Sequence, residues 1–163
     1  MPTFHIEKAR EQDCPILVDF IRDLALYERL SDQVEATPED IRRELFQSNS
    51  VIHAVIAWLD DVPIGFAIYF YNFSTFLTRR GLYLEDLFIA PEHRSRGYGK
   101  AMMRYLAQEA IKQNCGRFEW SVLEWNTPAI GFYESLGAAV MHDWRICRLS
   151  GSALAQFAQA QGK

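Results

Sequence analysis

The sequence predicts an α/β (α+β) protein built on a mixed sheet, and three observations carry that expectation. Segments with strand-like alternation are interleaved with segments at helical spacing. In the second half a strand, a helix-length segment from Gly97 to Asn114 and a further strand follow one another, the pattern of a right-handed crossover between parallel strands. No repeat, low-complexity tract or Pro/Gly-rich linker interrupts the 163 residues, so a single domain over 1–163 is expected.

Each element has its own signal. Phe4 and Ile6 alternate with polar neighbours as a first strand. Asp13 then precedes Leu17, Phe20, Ile21 and Leu24 at helical spacing. Thr37-Pro38 is a cap followed by proline in the first helical position, which starts a short helix from Pro38 to Phe46. Val51–Leu59 and Val62–Tyr71 are rich in β-branched and aromatic residues around the turn Asp60-Asp61, and predict a hairpin. A loop from Asn72 to Arg80 is expected next, then a strand from Leu82 to Ala90 ended by Pro91. The helix from Gly97, a strand from Phe118 to Leu123, a helix from Thr127 to Gly137 and a last strand from Trp144 to Leu149 complete the order. Ser150 to Lys163 predicts a terminal helix with a frayed end.

Composition narrows the function classes. Apolar residues make up 49% and charged residues 23%, the balance of a folded globular protein. A net charge of −4, with basic residues scattered except for Arg94, Arg96, Lys100 and Arg104, argues against a nucleic-acid partner. Cys14, Cys115 and Cys147 form no disulfide framework or metal motif, and His5, His53, His93 and His142 have no ligand spacing, so no metal is expected. The first residues lack an apolar signal core and no run approaches the ~20 apolar residues of a membrane helix, which predicts a cytoplasmic protein with no membrane partner.

Chemistry first enters at Arg94-Ser95-Arg96-Gly97-Tyr98-Gly99-Lys100. Glycines between a strand and a helix let successive N–H groups converge, and the helix start adds the positive end of its dipole. The result is an anion site, with arginines suited to paired phosphate oxygens. A P-loop would need a Ser or Thr where Ala101 stands, and a dinucleotide fingerprint would need a third glycine.

The run Arg94-x-x-Gly97-x-Gly99 resembles the acetyl-CoA signature of the GCN5-related N-acetyltransferase (GNAT) superfamily. Leu82-Tyr83-Leu84-Glu85-Asp86-Leu87-Phe88-Ile89, Glu124-Trp125-Asn126-x-Pro128-x-Ile130-x-Phe132-Tyr133, Leu24-Ala25-x-Tyr27-Glu28 and Trp144-Arg145 are similar to its spermidine/spermine (diamine) acetyltransferase group, including a thialysine-acetylating branch. The resemblance implies a mixed, mostly antiparallel sheet with a central splayed parallel strand pair flanked by helices. It implies acetyl-CoA as co-substrate, with the pantetheine arm on the backbone of Leu87, Phe88 and Ile89. The pyrophosphate would lie on Arg94, Ser95, Arg96, Gly97, Tyr98, Gly99 and Lys100, with Asn126, Thr127, Pro128 and Ala129 along the cofactor. Tyr27, Glu28, Glu85, Glu119, Trp120 and Ser121 would line the acceptor site, and the family implies a homodimer.

The chemistry accounts for two of these assignments. An alkylamine with a pKa of ~10.4 is roughly one part in a thousand unprotonated at neutral pH, so a base is needed, and Glu85 in what reads as a half-buried strand is the candidate. A departing thiolate benefits from a proton donor, the role the resemblance gives Tyr133. Backbone N–H groups near a bulged strand end would polarise the thioester carbonyl. Polyamine-directed members carry carboxylates in the loop before this strand, whereas Asn72–Arg80 has none and has two arginines. That favours a lysine- or thialysine-like acceptor over a long polyamine, since an arginine can hold a carboxylate. The expected function is therefore acetyl transfer to a small-molecule primary amine; the alternatives are a protein lysine or N-terminal acetyltransferase and a non-catalytic acetyl-CoA-binding module.

Overall fold

The structure, a computed structural model, describes residues 2–159. The chain forms two compact units, Met1–Ser121 and Val122–Lys163.

In the first unit the strands β1 (Phe4–Lys8), β2 (Ile52–Leu59), β3 (Val62–Ser74), β4 (Arg79–Ile89) and β5 (Arg117–Trp120) form one sheet in the order β1-β2-β3-β4-β5. The first four pair antiparallel, and β4 pairs with β5 in parallel, as the crossover spacing predicts. The helices are α1 (Cys14–Glu28), α2 (Pro38–Phe46) and α3 (Tyr98–Lys112). Thr37 caps α2 by accepting a bond from the Asp40 N–H at 3.2 Å, with Pro38 at the first helical position.

Each face of the sheet has its own core. On one, Leu17, Phe20 and Leu24 of α1 pack on Ala54, Ile56, Phe66, Ile68, Phe88 and Ala90. Phe20 stacks on Phe66 with ring centroids 5.9 Å apart. On the other, Met102, Met103, Leu106 and Ala110 of α3 are buried, as are Tyr69, Leu82 and Leu84.

A β-bulge joins these two cores through one strand. Leu84 pairs with Tyr69 and Asp86 pairs with Ile68, so Glu85 is an extra residue with no partner on β3. Because side chains alternate with a period of two, the extra residue reverses the strand's faces: Leu82 and Leu84 lie with α3, whereas Asp86, Phe88 and Ala90 lie with α1.

Two expectations need correction. The loop predicted over Asn72–Arg80 is a tight hairpin: β3 runs to Ser74 and β4 begins at Arg79. The turn is held by the Leu77 N–H on Ser74 Oγ at 3.2 Å and by Thr78 Oγ1 donating to the Thr75 carbonyl at 3.3 Å. The last strand predicted at Trp144–Leu149 does not form. Its alternation is strand-like, but a strand exists only by pairing, and no ladder among the described residues includes it. The parallel pair therefore stands at the edge of the five-stranded sheet.

In the second unit α4 (Thr127–Ser135) is capped by Asn126, whose Oδ1 accepts from the Ala129 N–H at 3.3 Å. Gly137 follows at φ 91°, the left-handed ending that glycine adopts without strain. The helix α5 (Gly151–Gln159) accounts for most of the predicted terminal helix, whose last residues, 160–163, lie outside the described residues.

Candidate active site

The paired length of β5 decides what the end of β4 can do. β5 pairs with β4 only over Gly81–Leu84, and β4 continues to Ile89. The Ala90 N–H donates to the Ile64 carbonyl at 2.9 Å, which fixes the alternation of the β3–β4 ladder. Asp86, Phe88 and Ala90 turn their backbone groups to β3; Leu87 and Ile89 turn theirs to the edge that β5 has left. Among the described residues no strand pairs with that edge.

The chain leaves this edge through a turn of unusual backbone geometry. Ser95 at φ 61° and Gly97 at φ 85° are both left-handed. Gly97 is the N-cap of α3, and no side chain caps that helix start. The first N–H groups of the 15-residue helix, at Tyr98, Gly99 and Lys100, have no intrahelical partners. A Cβ on Gly97 would meet nothing within 4 Å, so this glycine serves a backbone conformation and leaves open space beside the N–H groups. Arg96 and Lys100 are exposed. An anionic group fits this arrangement of donors, dipole and cations.

Arg94, the first residue of the motif, also makes contacts within the protein. Its Nε donates to the Ile89 carbonyl at 2.8 Å, and its guanidinium carbon lies 4.7 Å from the Tyr27 ring centroid and 5.1 Å from that of Phe88. It ties the end of α1 to the end of β4 through a charge-assisted bond and two cation–π contacts. The Tyr98 ring stacks on Phe4 at 4.7 Å and anchors the start of α3 on β1.

At the bulge the charges of Glu85 and Glu28 both act on Asp86. Glu85 is exposed, so the half-buried carboxylate of the pair is Asp86. Burial, then the charge of Glu85, then that of Glu28, push the Asp86 carboxyl up to about 6. Burial raises Glu28 as well. Such a group ionises more readily beside a cation. Asp86 carries none of the roles expected from the sequence, which go to its neighbour Glu85. The bulge that turns Asp86 to the α1 face has no mark in the sequence.

Of the other predicted acceptor residues, Ser121 Oγ lies 2.8 Å from Tyr83 Oη, and Glu119 pairs with Arg117 at 2.9 Å. Trp120 ends β5 beside Leu84. In the second unit, Asn126, Thr127, Pro128 and Ala129 form the cap and first turn of α4, and Tyr133 lies one turn further on, its ring 5.3 Å from that of Phe132. Among the described residues no three His, Cys, Asp or Glu gather as metal ligands, and no helix is long and apolar enough to cross a membrane.

The acetyltransferase (GNAT) family model matches residues 16–138. The thialysine N-epsilon-acetyltransferase of Sus scrofa is 34% identical over 169 aligned residues, covering 97% of this chain and 99% of that protein. The L-ornithine N5-acetyltransferase of Arabidopsis thaliana is 40% identical over 122 residues, covering 75% of this chain and 50% of that protein. Among solved structures, an integron cassette protein from the mobile metagenome of V. cholerae superposes with a TM-score of 0.81 at 28% identity, covering 96% of this chain and 98% of that one. The match across three quarters of the sequence, the splitting strands and the uncapped glycine turn agree: the chain belongs to the GNAT family and is an acetyltransferase.

Proposed function

We propose that the chain transfers an acetyl group from acetyl-CoA to the primary amine of a small molecule, by direct attack, with a lysine-, thialysine- or ornithine-like compound as acceptor. The unpaired edge of β4 carries the reading, because donors and acceptors in strand register are what an extended amide chain such as pantetheine requires. Acetyl-CoA, when bound, supplies an activated thioester. The N–H groups of Tyr98, Gly99 and Lys100, with Ser95 and Gly97 setting the turn and Arg96 and Lys100 adding charge, would hold its pyrophosphate. Arg94 acts as a positioning residue for the end of β4. The first turn of α4, Asn126 to Ala129, would line the cofactor as the family resemblance implies.

On the acceptor side Asp86 and Glu28 would hold the incoming ammonium, with Tyr27 beside Arg94. Glu85, exposed at the bulge, would take the amine's proton directly or through water. Tyr133 would return a proton to the departing thiolate. The relatives that acetylate thialysine and L-ornithine support an amino-acid-like acceptor. We further propose that both units belong to one acetyltransferase domain acting as a homodimer in the cytoplasm.

The test is CoA release from acetyl-CoA with lysine, thialysine, ornithine, spermidine and a lysine peptide as acceptors. Turnover on an amino acid, lowered at least ~100-fold in kcat by Tyr133→Phe, is expected. Turnover confined to the peptide, or tight acetyl-CoA binding without turnover, would overturn the reading.

A further inference from the structure

The α1 face of the sheet continues beyond the carboxylates to the far end of β4. Gly81 pairs with Arg117 of β5 and with Asn72 of β3. A Cβ on Gly81 would collide with Asn72 Oδ1 and stand 3.1 Å from Arg117 Cγ and 3.3 Å from Arg117 Nε. The missing side chain thus gives the arginine a cradle across the strand, on the same face as Asn72. One pleat along, Tyr83 pairs with Glu119 and with Phe70, the Phe70 and Tyr83 rings 5.2 Å apart. Beyond the bulge Asp86 pairs with Ile68 on this face.

The sequence pointed to Arg79 or Arg80 as a cation for the acceptor, and the structure separates them. Arg80 lies with its guanidinium carbon 6.0 Å from the Tyr71 ring. Tyr71 pairs with Leu82, so Arg80 is on the α3 face, away from Asp86 and Glu28. Arg79 precedes Gly81 by one more pleat and has its stem against Gly116.

We infer that Arg117 reads the α-carboxylate of the acceptor and so makes the enzyme selective for ω-amino α-amino acids over diamines. The inference rests on the acetyl-transfer reading above. Along one face the surface presents a cation at Arg117, two aromatic rings at Phe70 and Tyr83, and carboxylates at Asp86 and Glu28. An acceptor that matches this order carries an anion, a run of methylenes and an ammonium. Gly81 and Glu85 are four residues apart, about 13 Å at a strand rise of ~3.3 Å. That span suits a lysine-length acceptor met by an arginine side chain at one end. Glu119 lies 2.9 Å from Nε of Arg117 and is the one carboxylate paired with it among the described residues. The guanidinium's terminal nitrogens are the fork that holds a carboxylate. Glu119 holds the arginine in place and offers an acceptor for the α-ammonium of the same substrate.

L-Lysine and 1,5-diaminopentane isolate the effect, since they share the chain and the ω-amine and differ by the carboxylate. In the wild type, kcat/KM for CoA release is expected to favour lysine at least ~10-fold. Arg117→Gln should lower the lysine-to-diamine ratio by at least ~10-fold, through the KM for lysine. Arg117→Glu should invert the preference by pairing the diamine's second ammonium, a gain that misfolding does not produce. If both amines are acetylated and Arg117→Gln leaves their ratio at the wild-type value, the inference is overturned while the acetyl-transfer reading stands. If the wild type acetylates neither of these amines, nor thialysine or ornithine, the reading and the inference fall together.

Discussion

The two halves of β4 have the same backbone and opposite uses. From Gly81 to Leu84 the strand is paired on both sides, with β3 and with β5, and its inward residues Leu82 and Leu84 are buried. From Asp86 to Ile89 it is paired on one side only. The first half spends its hydrogen-bonding capacity on the fold; the second keeps half of it for something else. The single unpaired residue between them, Glu85, makes the difference. It reverses the faces of the strand, and the parallel ladder with β5 stops beside it.

Proline substitutions separate the two edges of β4 most strongly. The Phe88 N–H lies in the β3 ladder and its ring in the α1 core. Phe88→Pro should therefore unfold the first unit, at a cost of more than about 3 kcal/mol, read as loss of a cooperative melt. Leu87→Pro, one residue away, removes an N–H from the unpaired edge. It should leave a folded protein whose acetyl-CoA affinity falls at least ~10-fold by calorimetric titration. Equal unfolding by both variants would mean that the two edges of the strand are equivalent.

A second test concerns Asp86. Its native carboxyl titrates at about 6 against an ordinary 3.8, so the folded state holds its proton where the unfolded state has released it. Sign follows from proton counts: between roughly pH 4 and pH 6 the folded state binds more protons, so stability falls as pH rises across that window. Asp86→Asn should flatten this slope and raise stability at neutral pH by roughly 1–3 kcal/mol, measured by denaturant melts at several pH values. The same variant should lose the rise in kcat/KM through about pH 6 that ionisation of an ammonium-binding carboxylate gives. A pH profile unchanged in the variant would remove Asp86 from the acceptor site.

The smallest structural effect is expected at the glycine turn. Gly97→Ala forces a side chain into the left-handed region with no steric neighbour, a cost of about 1–2 kcal/mol in stability. The helix start should shift with it, and acetyl-CoA affinity should fall at least ~10-fold while the melt stays cooperative. Full affinity in this variant would move the anion site away from the turn.

Much of this was legible in the sequence because local rules decide it. Thr37-Pro38 announces α2, the crossover spacing announces the parallel pair, and Gly97-x-Gly99 after Pro91 announces the turn. What escaped depends on partners rather than patterns. Trp144–Leu149 alternates like a strand and finds no ladder. Arg94 stands at a motif position, and its further contact with the ring of Tyr27, far away in sequence, has no local mark. The bulge at Glu85 carries no glycine, and without it Asp86 reads as belonging to the opposite face. Arg117 is one of many scattered cations until Gly81, 36 residues earlier, is seen to lie under it.

An unpaired strand edge is also a hazard, since any extended polypeptide offers the same donors and acceptors as pantetheine. Here the unpaired stretch is short, bounded by the Glu85 carboxylate at one end and Pro91 at the other. Stable stacking between chains requires segments of about six or seven residues with low charge and no proline. The stretch from Asp86 to Ala90 between those bounds falls short of that length, and a ligand in strand register along it would guard it further.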